Sequence, residues 1–411
     1  MSDRRLIRRL DLHFSALWSL YWTGWGALWG FLAVFLLHRG FTNAQVGLVS
    51  SCALLLPIAV QPALASLSDR NRLFTSRRLA MALTALSMVC GVVVWLVDQP
   101  VVCSVALIII GVCLTAIAPY FNAMSMDFVL RGLDVNFGAS RSCGSVAYAL
   151  VSLLMGAALE HFTPTLILPV FLISFAGLFL ALLFFRYPLP PLQAAGEVRV
   201  APAVLSNAAM LRRYPAFTVM LLACALLMGS QSSITSYMIH IAGKVGGGES
   251  VMGTALFISG MVELPAMLLF SRLHRKFSLK VLLLVSGVFF ILRSGAFLLA
   301  GSALAVYLAC TLQFFAYSIF TPATVYYVTE QIDTANQVKG QALIHTASAG
   351  IGSSFGSLMG GRLLDLGGAN AMLTFCILSG CAGVAVMALT LYGRWKTPPH
   401  PTSSSYDPER R

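Results

Sequence analysis

Glu263 and Arg293 are the residues of this chain with the clearest chemical potential. Each lies inside a long apolar stretch, Glu263 in GMVELPAML and Arg293 in FFILRSGAF. A charge at membrane depth costs several kcal/mol unless it is paired or hydrated, so such residues mark pathways and relays. Read as successive antiparallel helices, the two stretches place their Cα atoms roughly 10 Å apart in depth. Extended Glu and Arg side chains close most of that gap. Paired, the carboxylate stays ionised; separated by a solute or a change of shape, it becomes a proton acceptor. The pair then binds and releases a proton or holds a polar solute. The alternative is an ion pair that only fixes two helices.

Arg141, in FGASRSCGSVAYAL, offers five donors in a planar fork suited to vicinal hydroxyls or a carboxylate. It is otherwise an ordinary anchor at the membrane surface. Asp127 is its nearest acidic candidate. Tyr148 follows Arg141 by two turns on the same face, where it can stack on a sugar ring or pack against a neighbouring helix. Gly144 and Ser145 let helices approach closely there. The run SQSSITSY, with Ser230, Gln231, Ser232, Ser233, Thr235, Ser236 and Tyr237, either lines a wet cavity or makes hydrogen bonds between helices. Asn122 and Gln313 extend the polar lining. Trp22 and Trp25 lie deep in an aromatic first stretch that otherwise reads as an interfacial belt. Asp69 beside Arg70 and Arg72 forms a gating salt bridge or simple surface charge.

What positions these residues is a set of twelve apolar stretches, near 14–37, 44–67, 78–97, 100–121, 141–160, 164–185, 215–240, 250–270, 280–299, 302–326, 338–361 and 370–393. A hydrocarbon core of about 30 Å needs roughly 20 apolar residues as helix. Any other open backbone leaves polar groups unpaired in lipid. With 10% charged residues and 58% hydrophobic, the chain is no soluble enzyme, since soluble domains carry about 25% charged residues. The first stretch is long enough to span and no small-residue cleavage site follows it, so no cleavable signal peptide is expected.

The net charge of +12 is not a nucleic-acid footprint, because 23 of the 27 Lys and Arg fall at the N-terminus, the tail and alternate gaps. Arg39 and Lys244 occupy the opposite gaps, with Arg362 at one helix end and Arg293 inside a stretch. By the positive-inside rule, both termini and the central gap are cytoplasmic. The nine Cys lack metal spacing and read as packing residues.

The Pro-rich gap at 186–214 divides the chain into a six-helix half at 1–185 and another at 215–393, with 394–411 read as a disordered tail. QPALASLSDRNR at 61–72 repeats as LPAMLLFSRLHR at 264–275, pairing Pro62 with Pro265 and Arg72 with Arg275. Halves related this way place a transport site at their interface.

SLSDRNRLFTSRR after the second stretch resembles the loop signature of the major facilitator superfamily, with Ala65 for the usual glycine and Asp69 as its acidic residue. Within it, the chain resembles the lactose permease-like group of sugar–proton symporters. GMVELPA matches that group's helix-8 acidic position with Glu263, and ILRSGAF its helix-9 arginine with Arg293. FGASRSCGSVAYAL matches the segment whose arginine binds the galactoside, here Arg141, and Tyr148 stands where the group has a stacking tryptophan. The resemblance implies an all-α membrane protein of twelve helices in two halves. It departs at TLQFFA, where Gln313 and Ala316 replace a histidine and a glutamate of the proton site. Glu263 is then the coupling carboxylate, or coupling is altered or absent.

The reading is a secondary transporter of a sugar, oligosaccharide or similar polar solute, coupled to protons and working as a monomer in the cell membrane. Export of drugs or amphipathic metabolites is the alternative, favoured by the aromatic first stretch and the 16 Met and 26 Phe. A receptor or scaffold leaves the buried charges unexplained. No nucleophile–base set, metal cluster or phosphate-binding Gly loop is present, so no enzyme, cofactor or direct ATP drive is expected.

Overall fold

The computed structural model describes the backbone of residues 3–70, 75–133, 135–187, 205–393 and 395. All regular structure among them is helical: α1 (Asp3–Leu28), α2 (Leu32–His38), α3 (Asn43–Leu55), α4 (Pro57–Arg70), α5 (Ser76–Leu96), α6 (Pro100–Val129), α7 (Phe137–Leu159), α8 (Ile167–Phe184), α9 (Asn207–Arg213), α10 (Pro215–Ser236), α11 (Met238–Lys244), α12 (Glu249–Lys276), α13 (Leu279–Leu299), α14 (Ala303–Thr311), α15 (Tyr317–Gln331), α16 (Gln337–His345) and α17 (Ser353–Tyr392). Of these, 11 segments, some joining consecutive helices, are long and apolar enough to cross a membrane. The last, Gln337–Tyr392, has 56 residues. At 1.5 Å per residue it is about 84 Å long, more than twice a bilayer core. Gly367 and Gly368 break it, and Gly368 has φ +67°, a conformation that favours glycine. The arms on either side carry the stretches expected at 338–361 and 370–393.

Helix ends follow local chemistry where caps exist. Thr42 and Gln45 form a capping box at the start of α3. Pro100 and Pro215 open α6 and α10, where a missing N–H costs nothing. Several helices run longer than the apolar stretches: α6 continues to Val129 and α12 to Lys276, because polar residues facing water or another helix can extend a turn without joining the apolar run. The gap expected to be irregular at 186–214 contains α9. Residues 188–204 and the tail from 396 lie outside the described residues. Leu205 is anchored by its N–H to Asn336 Oδ1 at 2.9 Å and its carbonyl to Lys339 Nζ at 2.5 Å. Beside it, Asp333 accepts from Tyr214 at 2.6 Å and from Asn336 Nδ2 at 2.7 Å. Burial works to raise the Asp333 carboxyl, but these bonds and nearby Arg213 outweigh it and hold it below its ordinary value.

Residues 3–187 and 205–393 meet mainly along two helix pairs, α3 with α17 and α7 with α12. Both joints lie toward the arginine-poor end. On α7 and α12, a Cβ at Gly156 would lie 2.6 Å from Glu249 O and 2.7 Å from Gly253 Cα. Towards the arginine-rich end the polar residues Asn122, Asp127 and Arg141 are exposed. The halves therefore enclose a cleft closed at one end and open at the other. Replacing Gly156 by Leu forces side-chain volume into this joint, and overpacking of that kind costs about 1–3 kcal/mol. The expected result is a lower melting temperature in detergent than wild type; an unchanged one would mean that the two helices do not meet there.

Candidate functional site

Glu263 sits on α12 two residues before Pro265, which has no N–H to offer the Met261 carbonyl. Facing it is the broken helix α14–α15, whose junction is a tight turn at Leu312–Phe314. Irregular backbone at membrane depth survives only where protein buries it or it lines a wet cavity. Here Ser318 Oγ donates to Gln313 O at 3.0 Å and satisfies part of it. The break turns the Gln313 side chain inward, where it is 3% exposed.

The expected direct pair between Glu263 and Arg293 is not formed. Two glutamines stand between them. Gln313 Nε2 donates to Glu263 Oε1 at 2.8 Å, Gln231 Nε2 donates to Gln313 Oε1 at 3.2 Å, and Arg293 Nη1 donates to Gln231 Oε1. The chain crosses four helical segments: α12, the Leu312–Phe314 turn, α10 and α13. Its polarity is uniform, each amide turning its oxygen toward the guanidinium and its NH2 toward the carboxylate. The cause is steric: two long amides, from α10 and the broken helix, fill the space that the depth offset leaves between the charges. Arg293 is 1% exposed, its guanidinium lies 5.2 Å from the Phe297 ring centre, and its Nε has no hydrogen-bond partner among the described residues.

On the other side of the cleft, α7 carries Arg141 and Tyr148. Arg141 is exposed, with its guanidinium 5.9 Å from the Trp18 ring centre and no ion pair among the described residues. Asp127, its expected acidic partner, is exposed on α6 and makes no salt bridge with it. Tyr148 meets Trp22 edge to face at 5.9 Å, and Trp22 lies 5.7 Å from Trp25. Gly144 lets this happen, since a Cβ there would sit 3.0 Å from Trp22 Nε1. The charges of Arg141 and Arg293 both act on Glu263, and Tyr148 and Tyr317 feel that carboxylate in turn. Tyr317 is a further residue of the site that the sequence does not mark, because its place one turn past the helix break depends on a break that TLQFFAYS does not announce.

The SQSSITSY run divides. Gln231 and Thr235 belong to the relay, with Gln231 Nε2 3.4 Å from Thr235 Oγ1. The serines join helices: Ser230 to Ser294 at 3.3 Å, Ser232 to Ser357 at 2.9 Å and Ser233 to Gly356 O at 2.6 Å. Successive residues of a helix point in different directions, so a dense polar run cannot all face one cavity. The Asp69 and Arg70 side chains and all of Arg72 lie outside the described residues.

The chain is 26% identical over 377 residues to a maltose permease of Geobacillus stearothermophilus, covering 92% of this chain and 93% of that protein. Its fold is similar to that of the nucleoside transporter NupG, with a TM-score of 0.75 at 16% identity over 93% of this chain and 98% of that one. A D-xylose–proton symporter gives a TM-score of 0.67 at 15% identity, over 95% and 97% of the two chains. Residues 12–377 match the MFS_1 like family, and the chain therefore belongs to that family, as a multi-pass membrane transporter rather than an enzyme.

Proposed function

We propose that this protein takes up a sugar, oligosaccharide or similarly hydroxylated solute together with a proton, by rocking two six-helix halves around the cleft. The observation that carries the reading is the relay that ends at Glu263 on the cleft wall, opposite Arg141, which makes no ion pair among the described residues. Arg141 and Glu263 supply a donor fork and an acceptor for ring hydroxyls. Trp22 and Tyr148 supply apolar faces; Trp25, Asn122 and Asp127 complete the lining. Glu263 accepts the proton, and the relay transmits its charge state to Arg293 on α13. The relative named a maltose permease and the fold neighbour named a D-xylose–proton symporter support the same solute class and coupling. Distribution of Lys and Arg supports cytoplasmic termini, and the break at Gly367–Gly368 supports twelve crossings. The cleft is then open to the cytoplasm, and Asp69, Arg70 and Arg72 act as a gate on that side. The chain works as a monomer in the cytoplasmic membrane.

Arg141→Lys tests the solute contact. Lys keeps the charge but not the planar fork. Losing one charged hydrogen bond worth about 1.5–3 kcal/mol weakens binding about tenfold to a hundredfold. Solute affinity measured by half-saturation of uptake should fall by that much, and an unchanged value removes Arg141 from the site.

The second reading, proton-driven export of amphipathic compounds, draws on the continuous run of rings from Trp22 through Trp25 to Trp29, with centres 5.7 and 6.1 Å apart. Movement of a hydrophobic cation, with no response to sugars, would select it.

A further inference from the structure

The closed end of the cleft holds a polar cluster that the transport site does not use. Asn43 opens α3, one residue after the capping Thr42. Its backbone N–H and its Nδ2 both donate to Asp365 Oδ1, at 3.2 and 2.8 Å, and the next amide, Ala44 N–H, donates to Asp365 Oδ2 at 2.8 Å. Asn43 Oδ1 accepts from His240 Nε2 at 2.6 Å. Its backbone carbonyl accepts from Tyr237 OH at 3.2 Å, and that hydroxyl also lies 2.9 Å from Ser357 O. Five hydrogen bonds from three residues of the C-terminal half thus converge on two successive residues of the N-terminal half.

Glycines let the clasp close. A Cβ at Gly47 would lie 2.6 Å from Ser357 O and 2.8 Å from Tyr237 OH, and one at Gly361 would strike the Asn43 carbonyl. Both joints bring backbones close, at Gly156 and Gly253 on α7–α12 and at Gly47 and Gly361 on α3–α17, and the second adds this cluster of directional hydrogen bonds. Directional bonds make a closed position specific, and Asp365 remains exposed, so water can take over its partners when the halves part. Asn43 is suited to the role because a single amide supplies both a donor and an acceptor, one for the carboxylate of α17 and one for the imidazole of α11.

We propose that Asn43 is the positioning residue that latches the outer gate, with Asp365, His240 and Tyr237 as its catch, and that the transport cycle turns on making and breaking this clasp. The assignment rests on the carrier reading given above, but its test needs no solute. Cysteines replacing His38 and Leu366, both exposed and outside the clasp, would carry spin labels on the full chain in lipid nanodiscs, with the exposed Cys143 and Cys381 changed to Ser. The parent should give one short label separation. Asn43→Ala removes both side-chain bonds and should raise the ratio of long to short separations about tenfold, from two hydrogen bonds of ordinary strength. His240→Ala removes one bond, leaves the first turn of α3 untouched, and should give a smaller rise; it also serves should Asn43→Ala fail to fold. Separations unchanged in both variants would overturn the latch, even if sugar transport is normal. Shifted separations in a protein that moves no sugar would uphold the latch and count against the carrier reading alone.

Discussion

Glu263→Gln should abolish accumulation of solute against its gradient while leaving exchange of bound solute in place. The substitution is nearly isosteric, and the new amide oxygen can still accept from Gln313 Nε2, which now lies 2.8 Å from Oε1. The relay therefore keeps its shape and α12 keeps its packing. What disappears is the group that ionises. A charged hydrogen bond of about 1.5–3 kcal/mol becomes a neutral one of about 0.5–1.5 kcal/mol. With no proton to gain or lose, the proton gradient has nothing to act on, and only downhill flux and exchange remain. Counterflow and uphill uptake in the same vesicles separate the two. Uphill uptake retained at the wild-type level would take the coupling role away from Glu263.

The second large effect concerns the other end of the relay. Gln231→Leu removes the acceptor of Arg293 Nη1 and the donor to Gln313 Oε1 in one step. Arg293 is 1% exposed, and among the described residues its Nε already has no hydrogen-bond partner. Leaving a buried charged donor without its acceptor costs about 1.5–3 kcal/mol. A marked fall in the melting temperature of the detergent-solubilised protein is expected. Gln231→Glu should recover most of it, since a carboxylate restores the acceptor and pairs directly with the guanidinium. If Gln231→Leu melts like wild type, the relay does not hold Arg293.

The architecture was legible because lipid imposes a simple rule on composition. Apolar stretches of spanning length and the one-sided distribution of Arg and Lys are visible without any tertiary information. The break at Leu312–Phe314 was not. TLQFFAYS contains neither Gly nor Pro, and the turn is held by a tertiary bond from Ser318 to the Gln313 carbonyl. Sequence singled out each of Glu263, Gln313, Gln231 and Arg293 as polar residues at depth. It could not order them, because which amide lies between two charges depends on how four helical segments pack. The serines beside Gln231 show the same limit, since composition gives the number of hydrogen-bonding groups and not their direction. Asn43, His240 and Asp365 look like ordinary helix-end residues. Only the folded chain brings α3, α11 and α17 together at one end of the cleft.

Electrical recording from liposomes reconstituted with the protein tests the coupled-transport claim most directly, using a panel of mono- and oligosaccharides with and without an imposed pH gradient. Currents evoked by at least one sugar, increased by an inward proton gradient and absent in Glu263→Gln, are expected. Silence to every sugar, alongside proton-driven movement of a hydrophobic cation, would contradict it.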